Sequence, residues 1–273
     1  MRLDLELVER GLARSRNQAA ALIEAQRVVV GGRIAKKPSA PVAESEVVLV
    51  LDAIDYVSRA GHKLAGALDT FPEIPVEGQI CLDVGASTGG FTEVLLRRGA
   101  RQVLSIDVGH GQMVTELAEN VRVVNLEGFN ARDLTVELLS ERAAEVGKPV
   151  DLTPDSIGIV VSDLSFISLT LVLPAIVATA PRSHLVLLIK PQFEVGKQSL
   201  SAHGIVNDHR LRAGAIRQVV DCAEQLGLGI TGLAKSSLPG THGNIEYLLW
   251  IAPGQLRNQS EWSDRIDSLA KER

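Results

Sequence analysis

The sequence predicts an α/β chain in which a doubly wound, mostly parallel sheet follows a small α+β unit. Three observations carry this. From residue 61 on, short apolar runs alternate with amphipathic stretches, the pattern of strand–helix units feeding a parallel sheet. Aromatics make up only 3% of the chain against 45% apolar residues, so the core must come from Val, Leu, Ile and Ala, which suits buried parallel strands. Residues 1–51 follow another pattern, two short helices and a hairpin, with a different charge.

Within that first unit, Leu3, Leu5, Leu7 and Val8 mark a helix closed at Gly11, and Ser15 is placed to cap a second helix through Ala19–Ile23. Arg27–Ile34 reads as a hairpin, with β-branched Val28, Val29 and Val30 before a Gly31-Gly32 turn. Pro38 and Pro41 mark a loop, and Val47–Leu51 a further strand. Residues 1–37 hold Arg2, Arg10, Arg14, Arg16, Arg27, Arg33, Lys36 and Lys37 against Asp4, Glu6, Glu9 and Glu24, in a chain of net charge −5. Any nucleic-acid site is therefore a local basic patch. Taken alone, these charges equally describe a solvated helix face. The stretch RLDLELVERGLARSRNQAAALIEAQRVVVGGRIAKKPS as a whole resembles the S4 RNA-binding domain. That resemblance implies phosphate contacts from Arg2, Arg14, Arg16, Arg27, Arg33, Lys36 and Lys37, giving affinity with little sequence readout.

Residues 52–60 read as a connector, 61–253 as the main domain and 254–273 as a polar C-terminal tail that frays or forms a short helix. Strands are expected at Ile80–Val84, Val103–Val108, Val121–Leu126, Ile157–Asp163, Leu185–Ile189, Gly229–Leu233 and Tyr247–Ile251. Helices are expected at His62–Thr70, Gly90–Gly99, Leu134–Glu145, Leu169–Thr179 and Arg210–Leu226. No uninterrupted apolar run reaches about 18 residues, and the charged start MRLDLELVERG does not read as a signal peptide. Cys81 and Cys222 fit neither a disulfide framework nor a metal spacing, so no metal and a cytoplasmic location are expected.

The stretch Cys81-Leu82-Asp83-Val84-Gly85-Ala86-Ser87-Thr88-Gly89-Gly90-Phe91 runs from a strand through a loop of small residues into a helix. Gly85 allows a sharp turn and a close backbone approach, and Gly89-Gly90 opens the helix. A dinucleotide loop would read G-x-G-x-x-G; here the pattern is D-x-G-x-x-x-G-G. An acid at the entrance disfavours phosphate and suits a cationic ligand, as the ammonium and sulfonium of S-adenosylmethionine are. Asp107, ending the next strand, is placed to accept ribose hydroxyls.

Four more polar residues stand where the carboxyl edge of such a sheet is expected: Lys63, Asp163, Lys190 and Glu246. In order they match the Lys-Asp-Lys-Glu tetrad of the FtsJ-like ribose 2′-O-methyltransferases. Over residues 2–252 the chain is similar to the TlyA family of rRNA 2′-O-methyltransferases, some of whose members are also called hemolysins. VSRAGHKLAGAL, CLDVGASTGGFTEVLLRRGA, DLSFISL, IKPQFEVGK and LPGTHGNIEYLLW carry the likeness. It departs at His110, where an aromatic is usual, and at Gly31 and Gln26, where Asn and Gly are common.

The resemblance implies a Rossmann-like methyltransferase domain using S-adenosylmethionine, with ribosomal RNA or ribosomal subunits as partner and a cytidine as target. It implies cofactor contacts from Asp83, Gly85, Ala86, Ser87, Thr88, Gly89, Gly90, Phe91, Asp107, Val108, Asn130 and Asp163, and adds Arg59 to the RNA-binding set. Lys190, its neutral amine favoured by burial, is the expected general base, oriented by Lys63 and Glu246. The competing readings are a membrane-acting hemolysin, a non-catalytic S4-type RNA-binding protein and a small-molecule methyltransferase. The loop 191–208 reads equally as a lid or as an ordinary surface excursion.

Overall fold

The structure, a computed structural model, describes residues 1–25, 27–43, 45–50, 56–240, 243–254 and 260–272. Leu51 and residues 52–55 of the expected strand and connector lie outside them, as do Gln26, Thr241 and His242. The chain divides into two units, Met1–Asp55 and Tyr56–Arg273.

In the first unit, α1 (Leu3–Glu9) and α2 (Arg16–Glu24) lie with a sheet of β1 (Val28–Val30), β2 (Arg33–Ile34) and β3 (Val48–Val50) in the order β2-β1-β3. Ser15 caps α2 by accepting from Gln18 N at 3.3 Å. Gly31 and Gly32, at φ +54° and +81°, make the tight turn that pairs Val30 with Arg33. Leu3, Leu7, Ala19, Ile23 and Val28, all 0% exposed, form this unit's own core.

The second unit carries α3 (Arg59–Thr70), β4 (Ile80–Val84), α4 (Gly90–Arg97), β5 (Gln102–Asp107), α5 (Thr115–Ala118), β6 (Val123–Glu127) and α6 (Val136–Glu145). It continues with β7 (Ile157–Ser162), α7 (Leu173–Thr179), β8 (His184–Ile189), α8 (Pro191–Glu194), α9 (His209–Gln225), β9 (Ile230–Lys235), β10 (Tyr247–Ile251) and α10 (Ser260–Lys271). Its sheet runs β6-β5-β4-β7-β8-β10-β9, parallel from β6 to β8 and antiparallel where β10 meets β8 and β9. Side chains alternate between two cores, as strand geometry demands. Leu82, Val84, Leu104 and Ile106 face α6, α7, α9 and α10, whereas Cys81, Val103, Val161 and Leu188 face α3, α4 and α5.

Strand order reverses between β4 and β7, opening a crevice at their carboxyl ends. Gly85 sits there at φ +89°, and a Cβ would lie 3.1 Å from the Asp163 carbonyl. The antiparallel direction of β10 matters as much. Its register sets Tyr247 opposite Ile189, so Glu246, just before β10, lies at the edge where β8 ends in Lys190.

One boundary differs from expectation. Residues 56–60 belong to the larger unit rather than to a connector: Tyr56 is 6% exposed, Val57 N donates to Glu93 Oε2 at 2.6 Å, and α3 begins at Arg59. The polar tail contains α10, which docks Ile266, Leu269 and Ala270 into the core. Their spacing forms one apolar stripe on an otherwise charged helix. We expect Leu269→Ala to lower the unfolding free energy by about 2–4 kcal/mol in urea titrations, and Ser268→Ala on the exposed face to change it by less than about 0.5.

Candidate active site

Lys63, Asp163, Lys190 and Glu246 all line one cleft of about 1380 Å³ at the carboxyl edge of the larger unit's sheet. Lys63 rises from the second turn of α3, and its Nζ donates to Glu246 Oε2 at 2.6 Å. Lys190 Nζ lies 2.6 Å from Asp163 Oδ1 and donates to Ser165 Oγ at 3.0 Å. All four are nearly withdrawn from water, with side chains 10%, 12%, 9% and 2% exposed for Lys63, Asp163, Lys190 and Glu246. A buried charge is tolerated when paired and hydrogen-bonded, and here each lysine has its own carboxylate.

Of the residues expected at the cofactor, Gly85, Ala86, Ser87, Thr88, Phe91 and Asp163 line this cleft. Gly89, Gly90, Asp83, Asp107, Val108 and Asn130 do not. Gly89 and Gly90 are packing positions, where a Cβ would fall 2.5 Å from Leu117 and 2.2 Å from Ser58 Oγ. Asp107 accepts from Ser87 N and Gly109 N, each at 2.8 Å, and so ties the small-residue loop to the end of β5. Val108 is 67% exposed, and Asn130 turns its side chain onto Arg132 N.

Asp83 differs most from expectation. It is 0% exposed and points under the loop, where Thr92 Oγ1 donates to its Oδ2 at 2.6 Å and lies 2.7 Å from Ser105 Oγ. Burial lifts its carboxyl to about 7, and the Asp163 and Asp107 carboxylates push the same way against the Thr92 hydrogen bonds.

In the smaller unit, Arg2 and Arg16 both grip Asp4, at 3.0 and 3.1 Å, and the Arg2 hydrogen bond helps hold that carboxyl down at about 2. These two arginines are thus partly neutralised. Arg14, Arg33, Lys36 and Lys37 are exposed and Arg27 half-buried. Arg59 lines the cleft of the larger unit, its Nη2 3.4 Å from the Pro239 carbonyl.

Sequence reasoning did not single out Arg132, Ser165, Phe166 and Asn244, which also line the cleft. Phe166 is 92% exposed at φ +67° and stands 5.2 Å from the Phe193 ring. Nothing in the composition of DLSFISL announces that conformation, which is rare for an aromatic. Asn244 pins the far end of the 191–208 loop, donating to Gly204 O at 2.9 Å and accepting from Val206 N at 3.0 Å.

The sequence model of FtsJ-like methyltransferases matches residues 56–252, and that of the S4 domain matches residues 1–48. The chain belongs to the FtsJ-like methyltransferase family. It is 49% identical over 253 residues to the 16S/23S rRNA (cytidine-2′-O)-methyltransferase TlyA of Mycobacterium tuberculosis, covering 92% of this chain and 89% of the relative. It is 39% identical over 253 residues to Hemolysin A of Brachyspira hyodysenteriae, covering 91% and 98%. Among solved structures, a Streptococcus thermophilus protein bearing the name hemolysin matches with TM-score 0.71 and 32% identity, over 99% of this chain and 94% of that one.

This FtsJ-like methyltransferase carries its polar machinery in one cleft. Among the described residues no helix is long and apolar enough to cross a membrane, and no cluster of His, Cys, Asp and Glu is arranged to hold a metal.

The raised Asp83 carboxyl gives a signed prediction. A group whose folded pKa lies above its unfolded value contributes most stability below the unfolded value and loses it as pH rises through the folded one. Wild-type stability should therefore fall between about pH 4 and pH 7, whereas Asp83→Asn, which keeps an acceptor for Thr92, should flatten that slope. Urea midpoints at pH 5 and pH 8 for both proteins read this directly.

Proposed function

We propose that this FtsJ-like enzyme transfers the methyl group of S-adenosylmethionine to the ribose 2′-OH of a cytidine in 16S or 23S rRNA, or both, within ribosomal subunits. The observation that carries the reading is the meeting of Lys63–Glu246 and Lys190–Asp163 as two ion pairs in one cleft. The cytoplasm is where such a substrate is met.

The cleft residues suit the cofactor. Gly85–Thr88, before the N-terminus of α4, line the cleft with small side chains that let a ligand approach the backbone closely, and Asp163 offers an acceptor to an ammonium. About 1380 Å³ accommodates a nucleoside cofactor beside a nucleotide. When bound, S-adenosylmethionine supplies an electrophilic methyl group. The protein's task is to present a weakly nucleophilic hydroxyl in line and to take its proton. In its amine form Lys190 Nζ accepts that proton, and Asp163 Oδ1, at 2.6 Å, stabilises the resulting ammonium. Lys63 Nζ, steadied by Glu246, donates to the hydroxyl oxygen and turns its lone pair toward the methyl.

RNA contacts divide between the units. Exposed Arg14, Arg33, Lys36 and Lys37 offer cations to phosphates from the S4 unit, and Arg59 and Arg132 do so at the cleft. Phe166 presents an exposed ring for stacking on an unstacked base.

The direct experiment incubates the full chain with labelled S-adenosylmethionine and isolated 30S and 50S subunits. The label should appear as 2′-O-methylcytidine. Lys190→Ala should bind the cofactor with normal affinity and lose at least about a hundredfold in single-turnover rate. Methylation of neither subunit with the cofactor bound, or a fully active Lys190→Ala, would overturn the reading.

A further inference from the structure

Two of the groups that meet in the cleft, Asp163 and Lys190, leave neighbouring strands on the chain segments 163–169 after β7 and 190–194 after β8. The first is irregular until the short helical turn Leu169–Leu171, and Phe166 within it holds φ +67°, a conformation that must be imposed by its surroundings. It is fastened to the second segment twice. At the cleft, Lys190 Nζ meets Asp163 Oδ1 at 2.6 Å and Ser165 Oγ at 3.0 Å. Four residues further on, the Glu194 carboxylate accepts from Leu169 N at 2.9 Å and from Ser168 Oγ.

Glu194 is 7% exposed, and burial raises its carboxyl above the usual range. Withdrawing a carboxylate from water is costly unless hydrogen bonds offset it. Here those bonds all go to one place, residues 168 and 169. Ser165 gains its meaning from the same geometry. A lysine nitrogen has three positions besides its carbon. Asp163 and Ser165 account for two, so the direction of the third is set, whether it carries a proton or the amine lone pair.

We propose that Glu194 is a positioning residue: by clamping Ser168 and Leu169 it sets the 163–169 segment so that Ser165 and Asp163 aim Lys190 Nζ. This rests on the reading of Lys190 as the proton acceptor. Ser165 orients the nitrogen, and Glu194 holds Ser165 in place without touching substrate.

The test compares Glu194→Ala, Glu194→Gln, Ser165→Ala and the Glu194→Ala/Ser165→Ala double variant of the full chain on ribosomal subunits. Single-turnover methyl transfer, S-adenosylmethionine binding and thermal unfolding are read for each. Glu194→Ala and Ser165→Ala should each slow transfer about 10–100-fold with cofactor affinity within about twofold of wild type. The double variant should be no slower than the worse single one, since the two act in series. Glu194→Gln keeps an acceptor and should recover transfer to within about threefold of wild type. Ser168→Ala removes one arm of the clamp and should slow transfer about 3–10-fold, which keeps the test decisive if Glu194→Ala fails to fold. An unchanged rate per folded enzyme, or multiplicative losses in the double variant, overturns the proposal. Loss in Lys190→Ala without loss in Glu194→Ala or Ser168→Ala removes this proposal alone; full activity in Lys190→Ala removes the reading beneath it.

Discussion

Two lysine side chains lie almost out of water at the carboxyl edge of a strongly apolar sheet, each with a carboxylate oxygen 2.6 Å from its nitrogen. An isolated charge there would cost several kcal/mol, so neither lysine is tolerable without its partner. Much of the larger unit's architecture follows from bringing four such groups together. Asp163 and Lys190 come from the ends of adjacent parallel strands. Glu246 reaches the same edge because β10 runs antiparallel, and Lys63 arrives on α3, which packs against α4. A parallel β10 would have left Lys63 without a counter-charge.

The loop beneath the cleft obeys the same constraint by another route. Asp83 is buried without a cation and answers with a raised carboxyl and a hydroxyl partner in Thr92. Asp107, half-buried at the end of β5, accepts two backbone amides. Both acids therefore shape the loop that α4 continues, and the side chains facing the cleft are the small ones between them.

Much of this was legible in the sequence. The apolar runs ending in Asp163 and Lys190 marked strand ends, and strand ends in an open parallel sheet mark the ligand crevice. The pairing of Lys63 with Glu246 was not legible from pattern, since 183 residues separate them and only the strand direction joins them. The burial of Asp83 was not legible either, because alternation places it on the α4 face and a strand's last residues do not declare which face opens to ligand. Of the two readings of the tail, the helix is the one found; its docking was not legible because Ile266, Leu269 and Ala270 are outnumbered by polar neighbours, although their spacing is helical. Glu194 looked like one charge in a polar loop until α8 turned it inward. The S4 unit was read closely, down to Ser15 and the Gly31-Gly32 turn, because local capping and turn chemistry decide such elements.

Under the proposed function, Lys63 and Glu246 stand in the cleft as a charge pair kept for chemistry rather than for stability. The most direct measurement compares unfolding free energy and methyl transfer in Lys63→Met, Glu246→Gln and the double variant. Lys63→Met should destabilise by about 3–5 kcal/mol, and adding Glu246→Gln should restore most of that while transfer stays lost. A double variant as unstable as Lys63→Met, or one that regains activity, would contradict the account.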